Sequence, residues 1–321
     1  MVDVPGRWYG PAVQPLVATP PPLLRTVRLR LPVDLSLSLG ALRHGPADPT
    51  ISIRGRTVWR ATLTEDGPAT LRLTADGDRT VAVEAWGPGA RAALDRAHAL
   101  CGGEDDLRDW EPGRLPLVAD LDRRFRGLRL VSTGRVMEAA VPTVLEQKVT
   151  AVEAHRAWRS IVRAWGSSAP GPAGLMLPPS PEVLAVRTYH EFHRHGVERR
   201  RADVIRCLAG RAARVEEAAG LPGVLRRARL EAFPGVGPWT SAEVAAVAWG
   251  DPDAVPVGDY HAPGIVVYSL TGKRGGDDDA MMELLEPLRP HRGRAARLLV
   301  LGGGRPRPRG PKAPLRDFRR I

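Results

Sequence analysis

The feature that most constrains the fold is a change in hydrophobic periodicity near residue 112. Before it, short segments alternate apolar and polar residues as strands do, with turn pairs such as Asp66-Gly67 and Asp76-Gly77 between them. The expected strands lie in TVRLRL, DLSLSL, ISI, TVWRATLT, ATLRLT and TVAVEAW, and ARAALDRAHAL is expected to be a helix. After EPGRLP, apolar residues recur with helical spacing until about Leu301. This order predicts an α+β fold with a small N-terminal antiparallel sheet and a helix, followed by an all-helical domain.

The length of 321 residues suits two domains, each with its own core. We expect an irregular lead-in over 1–22, an α/β domain over 23–112, a helical domain over 113–301 and a basic tail over 302–321. The tail is rich in glycine, proline and arginine, which predicts flexibility. It is interpreted either as an ordinary solvated terminus or as a phosphate-binding arm.

Charge and composition indicate which partners, compartment and metal clusters to expect for this protein. A net charge of +11 favours a polyanionic partner, although the excess of arginine over lysine also fits a compositional bias. No apolar run reaches the roughly 18 residues of a membrane span, so we expect a cytoplasmic monomer with no membrane partner. The cysteines, Cys101 and Cys207, fit a reducing compartment and cannot supply a four-cysteine iron–sulfur cluster.

The segment PGVGPWTSAEV, which starts at Pro234, predicts a tight turn between two helices. Proline at Pro238 suits a first helical turn, and the glycines allow positive φ and close backbone approach. Amides after the turn, with the positive end of the second helix dipole, form an anion site that a DNA phosphate fits. The same pattern also occurs in a simple tight connection between helices.

A carboxylate follows this hairpin at a distinctive distance. Asp259, in Gly258-Asp259-Tyr260-His261, comes 22 residues after Gly237. Upstream, an apolar helical segment contains Leu145, Gln147, Val149 and Thr150 in a Leu-x-Gln-x-Val-Thr pattern. With these elements in this order, residues 115–301 resemble the helix-hairpin-helix DNA glycosylases, and most closely the 3-methyladenine DNA glycosylase II type.

The resemblance implies a monofunctional glycosylase of base excision repair that removes alkylated bases from double-stranded DNA. Asp259 would stabilise positive charge on the sugar and orient water, after the base has flipped out of the duplex. The resemblance places in the base pocket Trp239, Tyr260, Glu243 and Gln147. It places at the DNA Gly235, Val236, Gly237, Thr240 and Lys148, with Lys148 in the position of the residue that wedges into the duplex.

Two positions depart from the family pattern. Glu243 stands where an aromatic residue is usual, and it is expected either to contact a cationic base or base edge, or to face solvent or pair with an arginine. Lys148 stands where an apolar wedge is familiar. Trp239 occupies the place of the Schiff-base lysine of bifunctional members, which predicts hydrolysis by water and an abasic product.

The resemblance also implies a structural Na⁺ or K⁺ ion on the main-chain carbonyls of Glu231, Phe233 and Val236, with no other cofactor required. The histidines of YHEFHRHGVERRR do not share one helix face and are not expected to hold a metal. Two alternatives remain open. One is an oxidised-guanine glycosylase/lyase, and the other is a non-catalytic helix-hairpin-helix protein that only binds DNA.

Overall fold

The computed structural model describes residues 20–221 and 223–306, leaving aside the side chain of residue 224. Most of the predicted lead-in and of the basic tail lies outside the described residues, and the four-part domain division stays a prediction. None of the helices within the described ranges is both long and apolar enough to cross a bilayer.

The N-terminal part is an antiparallel sheet of five strands in the order β1-β5-β4-β3-β2. Its apolar face is fully buried at Val58, Leu73 and Val81, as alternation in the sequence predicts. The elements of this part are β1 (Leu23–Arg28), α1 (Leu35–Leu39), β2 (Ile51–Arg54), β3 (Thr57–Thr64), β4 (Gly67–Ala75), β5 (Thr80–Trp86), α2 (Ala90–Asp95) and α3 (Ala97–Leu100). The α+β fold class is therefore confirmed.

The expectation of a strand at DLSLSL is wrong, because Leu35–Leu39 is the short helix α1. The Asp34 carboxylate accepts a hydrogen bond from the Leu37 N–H at 2.9 Å and caps the helix. Leu35 and Leu39 are both buried, since residues four apart lie on one helical face as well as on one strand face. The N-cap aspartate decides between the two periodicities.

The rest of the described chain, up to residue 306, is helical apart from a two-stranded ribbon and the connecting loops. Its elements are α4 (Pro116–Arg124), α5 (Val136–Glu146), α6 (Ala151–Trp165), β6 (Ser167–Ser168), β7 (Met176–Leu177), α7 (Pro181–Ala185), α8 (Tyr189–Arg194), α9 (Arg199–Ala209), α10 (Ala212–Glu216), α11 (Gly223–Glu231), α12 (Pro238–Ala248), α13 (Ala262–Thr271), α14 (Asp278–Leu285) and α15 (Arg292–Gly302). Helices α5, α6, α9 and α12 share one apolar core, and α4, α13, α14 and α15 share another.

The apolar stripe from Val141 to Trp165 forms two helices rather than one. They separate at Gln147–Thr150, where Lys148 takes a left-handed φ of 55°. Thr150 then starts α6 with a capping box, in which its hydroxyl and the Glu153 carboxylate each pair with the other residue's main-chain N–H. The reversal exposes Lys148 at the end of α5.

The sheet is joined to the helices through the carboxylate of Glu138 on α5. It accepts hydrogen bonds from Arg60 Nη2 at 2.6 Å, Thr62 Oγ1 at 2.8 Å and the Leu63 N–H at 2.6 Å, all on β3. A second ion pair joins Asp105 to Arg294 of α15, and both side chains are almost completely buried. The Glu138 contacts fix the sheet against α5, where the candidate site lies.

Candidate functional site

The turn between α11 and α12 requires glycine at its first glycine position, whereas its second glycine position has room for a side chain. Gly235 has φ of 85°, and a Cβ there would lie 2.2 Å from Cγ2 of Val204 on α9. Gly237 is the N-cap of α12, and a Cβ there would have no heavy atom within 4 Å. The turn is thus packed on its inner side and has free space on its outer side.

The outer side of the turn presents main-chain donors. The first helical hydrogen bond of α12 runs from the Ser241 N–H to the Gly237 carbonyl at 2.9 Å, so the earlier amides of Trp239 and Thr240 have no partner within the helix. The Val236 N–H is used inside the turn, where it donates to the Phe233 carbonyl at 3.1 Å. Unpaired amides and the positive dipole end favour an anion at the start of α12, and DNA binding there stays a prediction.

Gln147 ties the loop after α5 to the hairpin. Its Nε2 donates to the Gly235 carbonyl at 3.0 Å and to Thr240 Oγ1 at 2.9 Å. Thr240 is only 3% exposed, so its contact with DNA stays a prediction. Because both amide hydrogens of Gln147 are engaged by the hairpin, its role in a base pocket stays a prediction. The contact also fixes the neighbouring Lys148 beside the anion site.

Asp259 is held by donors from two separate segments. Its Oδ1 accepts the N–H groups of His261 and Ala262, each at 2.7 Å, at the start of α13. Its Oδ2 accepts Trp239 Nε1 from α12 at 3.1 Å. The preceding Gly258, with φ of 92°, donates its N–H to both carboxylate oxygens of Asp278 at 3.0 Å. The carboxylate of Asp259 is therefore fixed in position before any ligand arrives.

Tyr260 is almost fully exposed to solvent. Its side chain is 92% exposed, and its ring meets His261 edge-on at 4.8 Å between centroids. Its assignment to a base pocket stays a prediction.

A cavity of about 280 Å³ lies between the N-terminal part and helices α5, α6 and α12. Glu243 lines this cavity, whereas the residue one helical turn earlier on α12, Trp239, contacts Asp259. The aromatic walls come from His44 and Trp158, in segments that sequence reasoning did not connect with the site. Further lining residues include Arg60, Thr133, Glu138, Thr143, Glu146 and Val247.

Burial raises the pKa of Glu243 to about 7, with smaller contributions from the negative charges of Glu146 and Asp259. The positive charges of Arg297 and His44 act in the opposite direction. Within the described ranges no residue forms a hydrogen bond with the Glu243 carboxyl group. The structure thus places on the cavity wall a carboxyl group that exists in both protonation states near neutral pH.

The predicted alkali-ion ligands lie at the C-terminal end of α11. Carbonyl groups at a helix end lack intrahelical partners, and main-chain oxygens are the ligand type that Na⁺ and K⁺ prefer. The Phe233 carbonyl already accepts the Val236 N–H and retains a second lone pair. The donor chemistry fits such an ion, and its presence stays a prediction.

Sequence reasoning also missed a cluster beside the cavity. His44 Nδ1 lies 3.2 Å from Glu146 Oε1, and His155 Nε2 lies 3.7 Å from the same oxygen. Burial lowers the pKa of His155, an effect that the charge of Glu146 partly opposes. The sequence offers no spacing signal for this cluster because His44 is on a loop of the N-terminal part and the others flank the α5–α6 turn.

The sequence matches no protein-family model and no curated protein. Among solved structures, the 3-methyladenine DNA glycosylase from Archaeoglobus fulgidus shares 19% identity with a TM-score of 0.71, covering 86% of this chain and 97% of its own. The Clostridium acetobutylicum 8-oxoguanine glycosylase/lyase bound to double-stranded DNA shares 14% identity with a TM-score of 0.67, covering 88% and 96%. MBOgg1 bound to a low-affinity DNA ligand shares 16% with a TM-score of 0.66, covering 86% and 93%. The chain therefore has the helix-hairpin-helix fold of these DNA glycosylases, as the hairpin and Asp259 predict.

Proposed function

We propose that this protein is a monofunctional DNA glycosylase that hydrolyses the N-glycosidic bond of alkylated bases of the 3-methyladenine type in duplex DNA. The observation that carries the proposal is the fixed carboxylate of Asp259. It accepts a hydrogen bond from Trp239 on α12, the second helix of the hairpin, and its charge acts on the cavity residue Glu243. A phosphate-binding turn, a fixed carboxylate and a cavity are the three parts that base excision needs.

Asp259 would act on the sugar. As the bond between base and sugar breaks, positive charge develops on the sugar, and a fixed carboxylate stabilises that charge without reorganising. The base leaves with the electrons of the broken bond. The oxygen of a water molecule bonds to the anomeric carbon, and its proton passes to the Asp259 carboxylate and from there to solvent. An alkylated cationic base leaves as a neutral molecule, so a dedicated general acid is not required.

The cavity would receive the flipped base. Trp158 and His44 supply aromatic surface there, and stacking on an aromatic side chain is favourable for any base. Glu243 adds selectivity because its ionised form attracts a cationic base, whereas its protonated form donates a hydrogen bond to a base acceptor. This arrangement favours electron-poor, alkylated bases over the normal ones.

The DNA backbone would bind at the hairpin. The amides at the start of α12 can bind a phosphate, and Lys148 lies next to Gln147, which is bonded to the same turn. Lys148 is exposed on a left-handed turn, which supports the proposal that its side chain fills the space left by the extruded base. The net charge of +11 adds long-range attraction to DNA.

The second candidate is an oxidised-guanine glycosylase/lyase, which the fold shared with the Clostridium acetobutylicum and MBOgg1 structures favours. Against it, Trp239 stands at the position where the resembled lyases have their lysine, and its indole N–H donates to the Asp259 carboxylate. A covalent adduct trapped by borohydride on duplex DNA containing 8-oxoguanine would support the lyase and contradict the monofunctional proposal. Lys148→Ala then shows whether Lys148 forms that adduct.

The main test is base release from methylated duplex DNA by the wild type and by Asp259→Asn. Asparagine keeps the size of the side chain but removes its charge, so we expect release to fall at least about 100-fold. DNA affinity should remain within about twofold, because the hairpin amides are unchanged. Unchanged release by the variant would remove Asp259 from the mechanism. DNA binding by the wild type without release of any base from a panel of lesions would indicate a non-catalytic DNA-binding protein.

A further inference from the structure

We infer that His44, Glu146 and His155 form a site for one divalent transition-metal ion, with Zn²⁺ as its natural probe, at the wall of the cavity. One potential ligand atom from each residue lies within 4.8 Å of the other two. None of the three belongs to the hairpin, to the Asp259 contacts or to the alkali-ion carbonyls.

The donor set and its spacing fit the metal. In a tetrahedral zinc site with ligands at about 2.0–2.2 Å, neighbouring ligand atoms are about 3.3–3.5 Å apart. The distances from Glu146 Oε1 to His44 Nδ1 and His155 Nε2, 3.2 and 3.7 Å, differ from that spacing by only a few tenths of an ångström. The two histidines offer ligand atoms within 4.8 Å of each other, and they would move closer together around an ion. Two histidines and one carboxylate are also a usual protein ligand set for zinc with an open position.

Contacts around the cluster hold its first ligand in place. The buried Asp48 carboxylate accepts the His44 main-chain N–H at 2.8 Å and also Trp158 Nε1 at 3.2 Å, which links the loop to α6. Gly45 has φ of 89°, and a Cβ there would lie 3.0 Å from His155 Nδ1, so the loop packs directly on the second histidine. The ring of His44 also meets Trp158 edge-on at 5.9 Å between centroids. A preorganised ligand set binds metal with less loss of conformational entropy.

The position of the cluster leaves one coordination place open. His44 and Glu146 line the cavity, and His155 on α6 is not among the lining residues, so we infer that the fourth position of a tetrahedral ion opens towards the cavity. Water would occupy it, or a lone-pair atom of a molecule in the cavity. The site would therefore hold the ion beside whatever the cavity binds, and metal binding can be measured without DNA, independently of base excision.

The test uses the full chain after treatment with a chelator, titrated with Zn²⁺ by calorimetry and with Co²⁺ by visible absorption. We expect one equivalent of Zn²⁺, a tetrahedral Co²⁺ spectrum, and a rise in the unfolding temperature on Zn²⁺ addition. Glu146→Gln and His155→Ala should each weaken binding at least about tenfold, the lower end of the loss caused by removing a group that only supports a ligand. Glu146→Gln keeps the shape of the side chain and so guards against misfolding.

His190→Ala is the matched control, because His190 is an exposed histidine on α8 and remote in sequence from the three proposed ligands. It should bind Zn²⁺ as tightly as the wild type. The proposal fails if the chelated protein binds less than a stoichiometric amount, or if Glu146→Gln and His155→Ala retain wild-type affinity while folded. It also fails if His190→Ala alone weakens binding, since the ion would then lie elsewhere.

Discussion

The two glycines of the hairpin lie only two residues apart but differ in packing, which gives a sharp prediction for Gly235→Ala. At Gly235 the backbone is left-handed, with φ of 85°, and a methyl group would overlap Cγ2 of Val204 at 2.2 Å. At Gly237 the φ of −106° suits any residue, and the added methyl group meets nothing within 4 Å. The same substitution should therefore have different effects two residues apart.

The cost at Gly235 can be estimated from these two terms. A left-handed conformation costs a residue with a Cβ about 1–2 kcal/mol, and overpacking a full site costs about 1–3 kcal/mol. The lower entropy of the unfolded alanine chain returns about 0.4–1 kcal/mol. These ranges combine to a loss of about 1–5 kcal/mol in the free energy of unfolding for Gly235→Ala. Gly237→Ala should lower it by no more than about 1 kcal/mol, the scale of an N-cap change.

Urea unfolding followed by circular dichroism measures both values, and salt-dependent binding to an abasic duplex measures the hairpin's function. Gly237→Ala should weaken DNA binding while leaving the fold stable, because its methyl group occupies the space where a phosphate approaches the amides of α12. Equal destabilisation by the two substitutions would refute this reasoning. So would a Gly235→Ala, Val204→Ala double variant whose loss equals the sum of the single losses, since relief of the overlap requires a coupling of at least about 0.5 kcal/mol.

Three further predictions rest on single contacts. Trp239→Phe keeps an aromatic ring but removes the N–H that holds Asp259 Oδ2, so base release should fall about tenfold. DNA affinity should stay unchanged. An unaltered rate of base release would contradict the positioning role of Trp239. Glu138→Ala leaves Arg60 buried without its partner and should lower the free energy of unfolding, measured in urea, by about 3–5 kcal/mol. Glu65 pairs with Arg135 and its side chain is 62% exposed, so Glu65→Ala should lower it by about 1 kcal/mol or less. The pKa of Glu243 is raised from 4.5 to about 7 in the folded protein, so the folded state holds the proton more tightly and stability should fall as pH rises between those values. In chelator-treated protein, Glu243→Gln should remove that part of the pH dependence, and an unchanged pH profile would contradict it.

The hairpin and Asp259 were predictable because their signals are local. Gly235 and Pro238 encode a turn and a helix start within a few residues, and Asp259 bonds to amides two and three residues after it. The prediction of a strand at DLSLSL also used a local signal, but it was wrong. Its alternation is equally local, but a single N-cap aspartate outweighs it.

The cavity was not predictable, since its walls come from chain segments that only the tertiary fold brings together. His44 belongs to a loop of the N-terminal part, Glu146 ends α5 and Glu243 lies within α12. Whether Glu243 faces solvent or the cavity depends on how α12 packs against α5, and α12 is apolar on too many sides for its periodicity to decide. Its raised pKa follows from that packing.

Trp239 links the two halves of the proposed mechanism, which explains why a tryptophan suits this position. As the second residue of α12 it lies beside the hairpin amides, and its indole N–H reaches Asp259 at the start of α13. A lysine at this position could act as a nucleophile. Its flexible, charged side chain would not fix the carboxylate in place as the rigid, neutral indole N–H does. The indole therefore suits the proposed enzyme, in which Asp259 works with water. Through this one side chain, phosphate binding at the turn would be coupled to the position of the proposed catalytic carboxylate.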